Sequence, residues 1–248
     1  MIPPEPKPED AIIGRYVADL VPDGATIQLG IGGLPNAVAQ YLERHNDLGI
    51  HSELFVHAMV DLIEKGVVTG RKKTLHPRKN VFTAALGTKR MYEFMHDNPR
   101  HGKLSRLLCP RNQQSCAKND NMISVKSILE VDLLGQVQCR IPLVAQEFSG
   151  TGGQLDFVRG AFGSHGGKSI LAFYSTAKSE EVSRVVPRLE TGTAVTTPRM
   201  DTHYLVTEYG VVNLKGKSTR KRALDIISIA HPKFRDDLLR EAENMYLL

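Results

Sequence analysis

The stretch that decides the fold spans residues 25–53, ATIQLGIGGLPNAVAQYLERHNDLGIHSE. Thr26-Ile27-Gln28-Leu29 is a short apolar-rich run that passes into Gly30, Gly32 and Gly33. Pro35 follows, a residue suited to the first helical position because its missing N–H has no partner to lose there. Ala37, Val38, Tyr41 and Leu42 then recur at the spacing of one helical face. Leu48-Gly49-Ile50 opens a second run that ends in His51-Ser52-Glu53. The reading is strand, glycine turn, helix, strand, with a carboxylate at the exit of the second strand. Ligands of open α/β sheets gather at the carboxyl ends of strands. The glycine turn and Glu53 are therefore expected on the edge where chemistry takes place.

Working outward, residues 1–9 are Pro-rich and charged and read as an extended lead-in. A helix is expected from Asp10 to the turn Val21-Pro22-Asp23-Gly24. Beyond Glu53, residues 54–65 read as a helix on Leu54, Met59, Leu62 and Ile63, closed by Gly66. Arg71-Lys72-Lys73 reads as a solvated loop rather than an anion site. Residues 81–86 read as a strand, and Gly87 turns it into a helix carrying Met91, Phe94 and Met95. Residues 97–120 are polar and irregular and read as a loop. Residues 122–137 alternate and read as extended structure with a turn at Gly135. Residues 148–153 form a second glycine-rich turn before a short helix over 154–162. Short strands over 169–173, 194–197 and 204–207 follow, then two closing helices, 219–230 and 232–245, parted by His231-Pro232. Alternating strands and helices argue an α/β fold with an open, largely parallel sheet flanked by helices. The strand-rich region 122–212 allows some mixed pairing.

The chain has 248 residues, enough to bury a real core. Hydrophobic residues at 41% and charged residues at 24% place it among globular chains. No apolar run reaches the roughly 18 residues of a membrane helix, so no membrane partner is expected. The opening MIPPEPKPED lacks the apolar core of a secretion signal. Cys109, Cys116 and Cys139 are too few and too irregularly spaced for a disulfide scaffold or a zinc site. The expected location is the reducing cytoplasm, with the mitochondrial matrix as the alternative. A net charge of +5 reads first as a mildly basic enzyme surface, and otherwise suits a polyanion such as nucleic acid or a phosphate-rich cofactor. Without Trp, and without basic tracts interleaved with aromatics, no nucleic-acid partner is expected.

Several residues could carry chemistry. Gly30-x-Gly32-Gly33 reads either as a phosphate-cradling turn or as a plain strand-to-helix turn, since it lacks the full dinucleotide spacing. Glu53 reads either as a nucleophile able to attack an acyl carbonyl or as a carboxylate favoured by a helix N-terminus. Ser149-Gly150-Thr151-Gly152-Gly153 presents backbone N–H groups that can stabilise an oxyanion, or is again a plain turn. Glu130 and Asp132 lie two apart, as an acid/base pair or a solvated strand face. Glu208 reads either as a loop anchor, the favoured role, or as a group that touches substrate. His51, His76, His165, His203 and His231 show no metal-ligand spacing, and no metal is expected.

The ordered segments IQLGIGGLPNAV, LGIHSE, KKTLHP, LEVDLLGQV, SGTGGQLDFVRGA, VTTPR, YLVTEYGV and AHPKFRDDL resemble the acetyl-CoA hydrolase / 4-hydroxybutyrate CoA-transferase family, within the family I coenzyme A transferases. The resemblance covers nearly the whole chain, but only the C-terminal part of a usual member. It implies a NagB/RpiA/CoA transferase-like fold and one C-terminal-type CoA-transferase domain over residues 1–248, with the family's N-terminal domain absent. It also implies a chemistry. A glutamate attacks the acyl-CoA thioester to give a mixed anhydride, and the released thiolate converts this to a glutamyl-CoA thioester. An incoming carboxylate then takes over the enzyme acyl group, expelling the thiolate, and CoA leaves on the new acid. By the LGIHSE motif the nucleophile is Glu53, and the SGTGG segment places the oxyanion amides at Gly150, Gly152 and Gly153. The LGIGGLP turn places Gly30, Gly32 and Gly33 near bound coenzyme A. The implied ligands are acyl-CoA and a small carboxylate. Two departures stand out: family members carry Asn-Ser before LEVD where this sequence has Val125-Lys126-Ser127, and their polar stretch after LLGQV is replaced by Gln138-Cys139-Arg140-Ile141-Pro142.

Three functions follow as expectations. The first is a CoA-transferase, or an acyl-CoA hydrolase if water replaces the acceptor acid. The second is a CoA-binding module with little turnover. The third is one subunit of an assembly, a homo-oligomer or a complex with a separate N-terminal half. The first of these requires a Glu53 carboxylate free of competing partners.

Overall fold

The computed structural model of the protein describes residues 7–96, 113–139 and 152–248. The chain divides into two compact units, Met1–Lys126 with Asp156–Ser169, and Ser127–Leu155 with Ile170–Leu248.

The first unit contains α1 (Pro8–Asp19), β1 (Thr26–Leu29), α2 (Gly33–Tyr41), β2 (Gly49–Phe55), α3 (His57–Glu64), β3 (Val81–Ala85), α4 (Lys89–Met95) and α5 (Gln113–Ala117). It also holds nearly all of β4 (Met122–Ser127) and most of α6 (Gln154–Gly163). Its strands are parallel, in the order β4-β1-β2-β3. β1 is buried along its whole length, as expected of a parallel strand covered on both faces. A core cluster of Val81, Cys116, Met122, Phe157 and Ala161 packs α5 and α6 against β3 and β4.

The second unit contains β5 (Glu130–Asp132), β6 (Val137–Gln138), the greater part of β7 (Lys168–Ala172), β8 (Thr176–Ala177), β9 (Val182–Ser183), β10 (Val185–Val186), β11 (Tyr204–Thr207), β12 (Gly210–Asn213), α7 (Thr219–Ser228) and α8 (Pro232–Asn244). β7 and β11 pair in parallel, and β12 adds antiparallel to β11. β5 pairs in parallel with β10 and antiparallel with β6. The parallel strands of the first unit and the mixed pairing of the second bear out the α/β reading. The closing helices fall where expected, with Ser218 and His231 accepting from the amides of their first turns and Pro232 opening α8.

Four local expectations change. The second strand does not stop at Glu53. It runs on through Leu54 and Phe55, which pair with Ala84 and Ala85 of β3 while Phe55 and Phe82 bring their ring centroids to 5.0 Å. The next helix accordingly starts at His57. Pro35 occupies the third helical position of α2 rather than the first, still within the turn whose N–H groups have no intrahelical acceptor. Residues 113–117 are helical, not loop, while residues 97–112 lie outside the described residues. Of residues 194–197 only Thr197 makes a bridge, to Val137.

Candidate functional site

β1 ends at Leu29 and the chain turns at once into α2 through Gly30-Ile31-Gly32. Gly32 caps α2 with φ at +130°, a conformation that L side chains rarely adopt, and its carbonyl accepts the first helical bond, from Asn36. Gly30 matters for space. Its N–H donates to the Val125 carbonyl at 2.9 Å, and a Cβ there would lie 3.6 Å from Cδ of Lys126. The ladder pair Leu29↔Val125 brings Gly30 level with Lys126, and Ile27↔Ile50, carried on by the same offset, brings it level with Glu53.

The bare glycine thus separates two charged side chains that meet. Lys126 Nζ lies 3.7 Å from an oxygen of Glu53, with the two side chains only 11% and 17% exposed. That separation is an ion pair beyond hydrogen-bond length. On another side the ammonium lies 5.2 Å from the centroid of the Phe157 ring, which is fully buried on α6. The requirement for a carboxylate free of competing partners is therefore not met. Glu53 is charge-compensated, though by a cation that does not clamp it with a short bond.

The row beneath is neutral. Ser124 Oγ donates to Gln28 Oε1 at 2.7 Å, both buried. His51 precedes Glu53 by two residues on the same strand face. It is fully buried and meets Asn119 Nδ2 through Nδ1 at 3.2 Å. Burial first, then the charge of Lys73 and His76, pushes its imidazole down to about 3, so it carries no charge near neutral pH. Lys73, read from sequence as solvated, is instead buried, donating to the carbonyls of Ile50 at 2.8 Å and Lys79 at 2.7 Å. The carbonyls replace water around its ammonium, which is why a charged residue survives there.

In the second unit, Gly152 and Gly153 form the turn into α6, Gly152 with φ at +56°. Gly150 lies outside the described residues. Gln154, just after the turn, is buried and donates to Thr197 Oγ1 at 3.1 Å. Asp132 accepts from the backbone N–H of Leu134 and Gln136 and from the Gln136 side chain, while Glu130 accepts from Gln138. These carboxylates hold the β5–β6 turn and do not form an acid/base pair. Glu208 accepts from the Ser175 N–H and hydroxyl, as a loop anchor should. Among the described residues no cluster of His, Cys, Asp and Glu could hold a metal ion, and no helix is long and apolar enough to cross a membrane.

Of the sequence candidates, Gly30 and Glu53 come together around Lys126, and Gly32 and Gly33 start the adjoining helix. Lys126 itself was visible in the sequence only as a departure from the family pattern. Its signal was a lone ammonium at the end of the otherwise buried strand Met122–Ser127.

The site is a strand-turn-helix edge of an α/β fold that carries a largely buried carboxylate, Glu53. The profile of the acetyl-CoA hydrolase/transferase C-terminal domain matches residues 87–242, and the chain belongs to that family. Glu53 lies ahead of the matched span. The chain is 47% identical over 244 residues to 4-hydroxybutyrate coenzyme A transferase of Clostridium kluyveri, covering 98% of this chain and 56% of that protein. It is 48% identical to succinyl-CoA:cyclohexane-1-carboxylate CoA transferase of Geobacter metallireducens, over 98% of this chain and 55% of that protein. The crystal structure of RipA from Yersinia pestis superposes with a TM-score of 0.92 at 46% identity, covering all of this chain and 56% of that one. The chain thus spans about half the length of the curated relatives it matches.

Proposed function

We propose that the chain transfers coenzyme A between a short-chain acyl-CoA and a carboxylic acid, with Glu53 as the nucleophile. The observation that carries this reading is the largely buried Glu53 carboxylate, level with Gly30 at the glycine turn that leads from β1 into α2. A carboxylate largely withdrawn from water can attack an acyl carbonyl.

The steps follow. A Glu53 oxygen attacks the thioester carbon, and the negative charge moves to the carbonyl oxygen. Backbone N–H groups, such as those that open the first turn of α2, stabilise that oxyanion. Collapse breaks the C–S bond, giving a mixed anhydride and a thiolate. The thiolate attacks the Glu53 carbonyl carbon and expels the first acid, leaving a glutamyl-CoA thioester. The acceptor carboxylate then runs the sequence in reverse. Gly30, Gly32 and Gly33 line the approach of coenzyme A, which enters as substrate.

The names of the similar transferases support the class of reaction, and the hydrolase in the family name marks the alternative outcome when water reaches the intermediate. A thioester-exchange assay with acetyl-CoA, alone and with a panel of short carboxylates, tests it. Exchange that depends on the acid and is lost in Glu53→Gln is expected. Loss of thioester without any acid points to hydrolysis, and exchange unchanged in Glu53→Gln overturns the role of Glu53. The reading extends to a cytoplasmic protein, assembled with a second copy or with a separate N-terminal half.

A further inference from the structure

We propose that a basic cavity beside the start of α7, in the second unit, is a binding site for a phosphate group. The inference goes beyond the reaction proposed at Glu53 and does not depend on it.

The cavity holds about 360 Å³, at the lower end of the range for small-molecule sites. Four cationic side chains line it, those of Arg199, Lys215, Lys217 and Arg222, and among the described residues no acid does. β12 ends at Asn213 and α7 begins at Thr219, so Lys215 and Lys217 lie on the turn between them and Arg222 on the first turns of the helix. Arg222 ties the pieces together, its guanidinium donating to the carbonyls of Leu134, Leu214 and Arg199.

The acids nearby are engaged elsewhere or reach only the lysines. Asp225 pairs with Lys217 and Lys221. Asp132 accepts from the N–H groups of Leu134 and Gln136 and from the Gln136 side chain. Asp201 acts on Lys215, whose ammonium also donates to the Met200 carbonyl. Among the described residues, no carboxylate comes within ion-pair distance of Arg199 or Arg222. Like charge is crowded as a result. Burial holds the Arg222 guanidinium below its usual value, and the charge of Arg199 adds to this against the pull of Asp132. Burial lowers Lys215 as well, opposed by Asp201 and reinforced by Arg222. An anion seated among these groups relieves the repulsion.

Backbone donors add to the arginines. The Ser218 hydroxyl accepts from the Lys221 N–H and the Ser218 carbonyl from the Arg222 N–H. The N–H groups of Thr219 and Arg220 are left without an acceptor inside the helix. Thr219 lines the cavity, so the positive end of α7 faces the same ligand. Gly216 takes a φ of +69° and has no atom within 4 Å of where a Cβ would stand, which leaves its backbone open to approach. Guanidinium forks, ammonium groups and N–H groups arriving from several elements suit a tetrahedral dianion better than a planar monocarboxylate. The ligand class is therefore a phosphate, either free or carried by a small phosphomonoester.

Titration of the 248-residue chain with sodium phosphate at constant ionic strength, followed by amide NMR, tests the site. The signals of Gly216, Thr219 and Arg220 are expected to shift saturably. Arg199→Glu changes an exposed side chain without opening the core, and is expected to weaken binding by about tenfold or more. Lys215→Met is expected to weaken it too. Arg240→Glu makes the same change of charge on α8 and is expected to leave binding unchanged. Shifts that never saturate, or equal weakening by Arg199→Glu and Arg240→Glu, overturn the proposal. Coenzyme A separates the two sources of the phosphate. Displacement of free phosphate from these amides by coenzyme A assigns the site to a phosphate of that molecule; free phosphate that stays bound alongside it assigns the site to a separate ligand.

Discussion

Mild acid should weaken the fold through His51. The ring is fully buried, and its Nδ1 faces the amide nitrogen of Asn119, whose oxygen accepts from the Leu75 N–H at 3.2 Å. That arrangement fits a neutral imidazole protonated on Nε2, as assigned from the hydrogen-bond network. Burial, with Lys73 and His76 adding like charge, holds the folded ring at about 3. In the unfolded chain it titrates near 6.5. Below pH 6.5 the unfolded state binds a proton that the folded state refuses, so stability falls as pH falls, and continues to fall until the folded ring titrates. Each pH unit in that window is worth about 1.4 kcal/mol for one such group, so the drop from pH 6.5 to 4.5 is roughly 2–3 kcal/mol. His51→Gln keeps an acceptor for Asn119 and removes the titration. Urea unfolding of both proteins at several pH values between 7.5 and 4.5 isolates the effect, since every other group is shared. The wild type should lose about 2–3 kcal/mol more than the variant over that range. Parallel pH dependences would refute the argument.

Three further outcomes follow from the structure. Gly30→Ala should fold with a stability change under about 1 kcal/mol, because the added Cβ meets Val125 O and Lys126 Cδ at ordinary contact distances of 3.4 and 3.6 Å. It should nonetheless slow adduct formation at Glu53 by setting a methyl group level with that carboxylate at the glycine turn, as read by mass spectrometry against thermal melts. Glu208→Ala strips the Ser175 N–H and hydroxyl of their acceptor and should lower stability by about 1–3 kcal/mol in denaturant melts. Arg222→Ala removes the guanidinium that donates to the carbonyls of Leu134, Leu214 and Arg199, and should lower stability by about 2–4 kcal/mol, with Arg222→Lys recovering only part.

What the sequence disclosed divides along local and non-local lines. The strand–glycine–helix passage through Gly30 and Gly32 was legible because turn chemistry and helical spacing are written in neighbouring residues. The continuation of β2 through Leu54 and Phe55 was not, because those residues also fit the apolar face of the following helix. Only pairing with β3 settles them as strand. Lys73 read as solvated because Arg71-Lys72-Lys73 is a charge run, whereas its burial depends on the carbonyls of Ile50 and Lys79, one of them 23 residues away in the sequence. Glu53 could be placed near the chemical edge from its motif, but its cation could not. Lys126 lies on β4, and only the β4-β1-β2 strand order, with Gly30 between, brings the two together.

The central claim is that Glu53 becomes covalently attached to coenzyme A. Incubation of the 248-residue chain with butyryl-CoA, followed by proteolysis and mass spectrometry of the peptide holding Glu53, measures this directly. The account predicts a CoA-sized mass increase on Glu53 that disappears when a short carboxylate is added and never forms in Glu53→Gln. Coenzyme A exchange proceeding with that peptide unmodified would contradict it.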